Sequence, residues 1–175
     1  MKKQEVIQLL DQSQQAMMQW IEAQPEDAFV TQKVPGKWST GEHLEHLRKT
    51  TRAVNKGMKI PRPILRYKIG VNNRKERDYQ GTKEKYRSKL KETGAKSPAE
   101  YTAKNLTTAD RERIISWFKQ EMATLKDQVG KYSEERLSKY LLPHPLVGKM
   151  TFREFAIWTA VHTDHHFELM KRDNS

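Results

Sequence analysis

The sequence predicts an all-α protein built as a four-helix bundle. Four stretches place apolar residues at helical spacing. Two of them open on a Ser or Thr followed three residues later by Glu, the capping-box signature. No stretch shows the period-two alternation of a half-buried strand.

The first helix is predicted over residues 3–23, where Val6, Leu9, Leu10, Met17, Trp20 and Ile21 recur at helical spacing. Pro25 ends it, and the run QPEDAFVTQKVPGKWS reads as a loop. Ser39 with Glu42 then starts a second helix over residues 40–57, with Leu44, Leu47, Thr51, Val54 and Met58 as its stripe.

From residue 59 to 106 the pattern breaks. Three prolines, three glycines and dense positive charge predict a long surface excursion with one short helix near 82–92. A third helix follows Thr107 or Thr108, with Ile114, Trp117, Phe118, Met122, Leu125 and Val129 on one face and Gly130 as its stop. Residues 133–140 add a turn or two, and LLPHPLVGKM reads as a proline-flanked loop. Thr151 with Glu154 caps a fourth helix that reaches about residue 171.

At 175 residues the chain suits a single domain, 1–175, with residues 59–106 as a basic connecting insertion. Cysteine is absent, so neither disulfides nor thiolate ligands are available. No apolar run approaches the roughly 18 residues of a membrane span, and the N-terminus lacks a signal-peptide core. A cytoplasmic, soluble protein is the expectation.

The net charge is +11, and it is concentrated. Residues 47–96 hold 17 Lys and Arg against 4 acids, whereas the rest of the chain is slightly acidic. The competing function class rests here. Basic residues interleaved with Tyr67, Tyr79 and Tyr86 can bind nucleic acid or an anionic ligand through segment 48–96. A solvated charged surface is the simpler account of the same residues.

The stretch AVHTDHHFELM carries three of the six histidines. On a helical wheel Phe155, Trp158, His162, His166 and Leu169 share an arc of roughly 80°. His162 and His166, spaced i,i+4, can converge on one metal ion. His165 sits at the edge of that arc. The second helix offers a third imidazole from His43 or His46; periodicity does not settle the choice and slightly favours His43 as the more buried. His144, between two prolines, reads as a loop residue. Trp38, Phe155 and Trp158 read as packing residues.

Two segments resemble a known family. WSTGEHLEHL, with His46 eight residues after Trp38, is similar to the start of the second helix in DinB-like four-helix-bundle proteins. HPLVGKMTFREF followed by HTDHH is similar to the approach to that family's last helix. The resemblance covers residues 1–57 and 107–172 and leaves out the basic middle.

The resemblance implies a divalent metal ion held by His46, His162 and His166. Three protein ligands leave a position open for water or substrate, the ligand count of a catalytic zinc site. Zinc and nickel are the first candidates, with manganese and iron next, since imidazole suits all of them. DinB-like proteins include thiol-dependent S-transferases, a maleylpyruvate isomerase and metal hydrolases. The implied role is a metal-dependent transferase, using a low-molecular-weight thiol, or a hydrolase, acting on a small molecule. A homodimer is also implied, and a bundle that holds the metal without turnover is the alternative. No residue stands out as a general base. Glu42 belongs to its capping box, Asp164 points away from the paired histidines, and Glu168 lies off their face.

Overall fold

The computed structural model describes residues 1–103 and 105–174. Four long helices form the bundle: α1 (Lys3–Glu22), α2 (Thr40–Met58), α5 (Arg111–Lys131) and α7 (Phe152–Asn174). Shorter pieces connect them: α3 (Arg62–Lys68), α4 (Tyr79–Thr93), α6 (Glu134–Lys139), and a hairpin of β1 (Leu141–His144) and β2 (Gly148–Thr151).

The first two helices are not neighbours. Helix α1 packs on α5 and α7, and α2 packs on the same two. The loop between α1 and α2 therefore crosses the end of the bundle, with a short 3-10 turn at Asp27–Phe29 that buries Phe29. Gly41 permits this crossing. A Cβ there would stand 2.7 Å from the Phe29 ring, so a side chain would push the start of α2 away. This topology brings α2 and α7 together, although they lie at opposite ends of the sequence.

Both predicted capping boxes are formed. The Ser39 amide donates to Glu42 at 2.7 Å and the Glu42 amide donates back to Ser39 Oγ at 3.3 Å. At α7 the Thr151 amide donates to Glu154 at 2.9 Å and the Glu154 amide donates to Thr151 Oγ1 at 3.1 Å. The apolar stripes meet in one core of leucine, methionine and aromatic side chains, including Leu10, Met17, Leu44, Leu47, Phe118, Met122 and Phe152.

Three expectations are corrected. Helix α5 runs through Gly130 to Lys131, because its preceding turns are held by buried Leu125 and Val129 and Gly130 has room beside Ile7. The stretch 141–151 is a hairpin in which Leu142 faces Met150 and His144 faces Gly148. Its strands are four residues each, too short to display alternation. Gly148 takes φ 87°, which leaves the turn free of side-chain strain.

The largest correction concerns residues 59–106, whose described residues include two helices, α3 and α4, the second of them packed on the bundle. Helix α4 starts at an Asp78 cap, runs for 15 residues and stops at Gly94 in the left-handed conformation. It lies against α7 and buries Thr82 and Tyr86. Ion pairs anchor the approach to α4. Buried Glu154 takes both Arg74 guanidinium nitrogens at 2.7 Å and the Arg77 amide at 2.9 Å. Burial pushes its carboxyl upward, but Arg74 and the backbone donors hold it below the usual carboxylate range. Arg153, also buried, pairs with Glu76 at 3.0 Å and with Glu134.

Candidate metal centre

Helical spacing sets half of the site. His162 and His166 lie one turn apart on α7 with their Nε2 atoms 3.0 Å from each other. Helix α2 crosses beside them and places His46 Nε2 3.2 Å from His162 Nε2. One nitrogen from each of the three rings lies within 4.8 Å of the others. The candidate residues named from the sequence are thus brought together, and His46 rather than His43 faces His162.

The donor set fits a divalent ion. Two nitrogens that share zinc at about 2.0–2.1 Å each stand roughly 3–3.4 Å apart, as both adjacent pairs do here. The imidazoles are also neutral. Burial holds His162 and His166 well below the ordinary histidine range, and the surrounding imidazoles add to the effect. Burial lowers His46 to about 4, against an opposing contribution from the Tyr101 carbonyl. A neutral imidazole keeps one lone pair for a metal.

The Tyr101 carbonyl fixes which nitrogen of His46 that is. It lies 3.0 Å from His46 Nδ1 and can only accept, so Nδ1 carries the proton and Nε2 presents its lone pair to the triad. Ser97 Oγ lies 3.2 Å from the same Nδ1. Both belong to the segment after α4, which includes a 3-10 turn at Ala99–Tyr101. That segment is also tied to α2 by the Lys49 ammonium, which donates to the Thr102 carbonyl at 2.6 Å.

Aromatic rings pack on the candidate ligands. Trp158 stacks on His162 with ring centres 4.5 Å apart, and Tyr86 meets the same imidazole edge-on at 5.8 Å. Trp38, half-buried, stacks on His166 at 5.9 Å and packs against His43 and His46. Exposure of the three candidate ligands is only 4–7%. The expectation that Trp38, Phe155 and Trp158 pack is met, and two of them pack on the site itself.

The other histidines take different places. His43 is buried, and its Nδ1 lies 2.8 Å from His166 Nδ1. His165 is half-buried and lines an open groove of about 560 Å³ with Arg87, Lys91, Glu168 and Arg172. His144 ends β1, where its Nδ1 accepts from the amides of Leu146 and Val147 at 3.1 Å. Burial lowers His144 to about 4.

The carboxylates named from the sequence are engaged elsewhere. Glu42 serves its capping box, and Glu168 pairs with Arg87 at 2.7 Å on the surface. Asp164 accepts a 2.6 Å hydrogen bond from the Tyr79 hydroxyl. The sequence did not point to Tyr86, Ser97 or the Tyr101 carbonyl as parts of the site. A backbone carbonyl leaves no mark in a sequence. Tyr86 was visible only as one aromatic among basic residues.

The sequence profile of the DinB superfamily matches residues 9–170. Among curated proteins, none matches this sequence. Among solved structures, one similar fold is YfiT from Bacillus subtilis, described as a probable metal-dependent hydrolase with an unusual four-helix bundle topology. The two share 12% identity with a TM-score of 0.62, over 97% of this chain and 84% of that one. With a family match over nearly its whole length and a bundle of this topology, the chain belongs to the DinB superfamily.

Proposed function

We propose that this protein holds a divalent metal ion on His46, His162 and His166 and acts through it on a small molecule. The observation that carries this is the convergence of three neutral, buried imidazole nitrogens in a site that no carboxylate enters among the described residues. YfiT, a relative in fold, is described as a probable metal-dependent hydrolase, which supports the same direction.

A divalent ion bound there supplies Lewis-acid chemistry, polarising a coordinated group or acidifying a coordinated thiol or water. The chain's own residues shape that site. Three uncharged ligands leave the ion's charge undiminished. Trp38, Trp158 and Tyr86 keep bulk water away from the imidazoles, which raises the strength of every charge interaction inside. Glu42, Asp164 and Glu168 are each occupied by another partner, so a protein base is poorly supplied. An ion held by His46, His162 and His166 would lower the pKa of a low-molecular-weight thiol, whose proton would pass to solvent, so thiol transfer to a small electrophile would suit the site better than a reaction that needs such a base. Transfer to a thiol is our first choice and hydrolysis the second. The dimer implied by the family resemblance belongs to the same proposal, and light scattering reads it directly.

Nucleic acid is not the partner we propose. Arg48, Arg74, Arg77 and Arg87 of the basic segment are paired with Glu45, Glu154 and Glu168 within the protein.

Elemental analysis of tag-free protein, beside His46→Ala and His162→Ala, tests the metal. The expected result is about one ion per chain, lost in both variants, followed by turnover in a thiol-transfer and hydrolysis screen. Wild-type protein that arrives empty and takes up neither zinc, nickel nor manganese would refute it.

A further inference from the structure

A metal ligand of the imidazole type needs its second nitrogen committed, because that commitment fixes the tautomer and the ring orientation. His46 meets the requirement through the Tyr101 carbonyl. Among the described residues, His166 has no carbonyl or carboxylate in that position. Its Nδ1 faces another imidazole nitrogen, His43 Nδ1, at 2.8 Å. One of these two nitrogens carries a proton and the other accepts it.

We propose that His43 is a positioning residue for the metal centre: its Nδ1 accepts the Nδ1 proton of His166 and so keeps the His166 Nε2 lone pair turned toward His162 and His46. The inference rests on the metal reading above. Three observations carry it. The Nδ1–Nδ1 distance is that of a short, formed hydrogen bond. Among the described residues His43 Nε2 is buried with no hydrogen-bond partner, so no hydrogen bond on that side competes for where the His43 proton sits. His43 is free to take the tautomer that His166 requires. Finally, Trp38 packs on both rings, at 5.3 Å from His43 and 5.9 Å from His166, and so holds the pair in register.

The opposite arrangement has a distinct consequence. If His43 Nδ1 donated, the His166 proton would move to Nε2 and point into the triad, 3.0 Å from His162 Nε2. His166 would then be unable to bind an ion through that atom. The two arrangements differ by the position of one proton on each ring and can be told apart.

The experiment compares wild type, His43→Leu and His43→Asn, stripped of metal and titrated with zinc against a competing chelator. Asn carries its side-chain oxygen where imidazole carries Nδ1, so it can still accept. Leu fills similar space and cannot. The expected result is an affinity loss of about 10–100-fold for Leu, with most of it restored by Asn. Circular dichroism checks that both variants keep their helices. Independently, nitrogen–proton correlation of the imidazole rings in zinc-loaded wild type should show His166 protonated at Nδ1. That measurement needs no variant and decides the matter if either substitution unfolds the protein. Wild-type zinc affinity in a folded Leu variant, or a bare His166 Nδ1 in the loaded wild type, overturns the role of His43 while leaving the metal reading intact. A wild type that takes up neither zinc, nickel nor manganese overturns both.

Discussion

Helix α7 and the segment between residues 59 and 106 hold the same site by different means. The helix contributes side chains at positions set by its own pitch, with His162 and His166 one turn apart and Trp158 one turn before them. The basic segment contributes a wall. Tyr86 of α4 covers His162, Ser97 and the Tyr101 carbonyl meet His46, and Arg74 reaches back to Glu154 at the start of α7. Regular secondary structure carries the candidate ligands, and an irregular, charged connection orients and encloses them. A residue on the helix is therefore interchangeable only with another ligand. Much of what the segment supplies is backbone and shape.

Acid attacks the imidazoles of α2, β1 and α7 hardest. The imidazoles of His43, His46 and His144 stand at about 3, 4 and 4 in the folded protein through burial, and those of His162 and His166 lie lower than ordinary histidine for the same reason. The unfolded chain takes up protons below about pH 6.5, where the folded chain does not, so stability present above that pH is lost as the pH falls toward 4. Each imidazole contributes up to about 1.4 kcal/mol per pH unit. Urea unfolding of the metal-free protein at pH 7.5, 6 and 5 should show the midpoint falling steeply below 6.5. A flat midpoint would mean that these rings are solvated.

Next in size is the joint between the two regions. Glu154→Ala removes the carboxylate that Arg74, Arg77 and the Thr151 amide share in a fully buried position. Loss of about 3–5 kcal/mol is expected. Hydrogen exchange should quicken at residues 71–78 more than in the body of α7. Equal quickening in both would erase the distinction drawn here.

The smallest effect sharpens it. Tyr79→Phe deletes the hydrogen bond to Asp164 that ties the first turn of α4 to α7. A loss of about 1 kcal/mol in urea unfolding is expected, with zinc affinity unchanged, because Tyr79 does not touch the imidazoles. An equally large loss of zinc affinity would show that the wall and the ligands cannot be separated.

The four bundle helices were legible because each has a stripe to bury. Val6, Leu10 and Met17, or Ile114, Phe118 and Met122, repeat at the period of the face they present to the core. Capping chemistry placed the starts of α2 and α7 at Ser39 and Thr151. Helix α4 was only partly visible for the complementary reason. It buries Thr82 and Tyr86 on an otherwise charged surface, so it has no stripe, and its better markers were the Asp78 cap and Gly94. The hairpin escaped because Pro143 interrupts a strand of four residues. At the site, the i,i+4 spacing named His162 and His166. Both His43 and His46 are buried beside α7, so a wheel drawn on α2 alone could not settle the choice and leaned slightly toward His43. The family resemblance favoured His46, and only the crossing of α2 over α7 brings its Nε2 to His162.

That crossing has a consequence for the chain as a polymer. His46 and His162 are 116 residues apart in sequence and 3.2 Å apart in space. An ion held between them would be a reversible cross-link closing most of the chain into one loop, in a protein that has no cysteine to do so. Loop-closure entropy grows only slowly with length, yet a link of this span constrains the unfolded chain nearly as much as any single link can. Occupancy of the triad would then set how tightly the ends of the fold are tied, alongside any chemistry it performs.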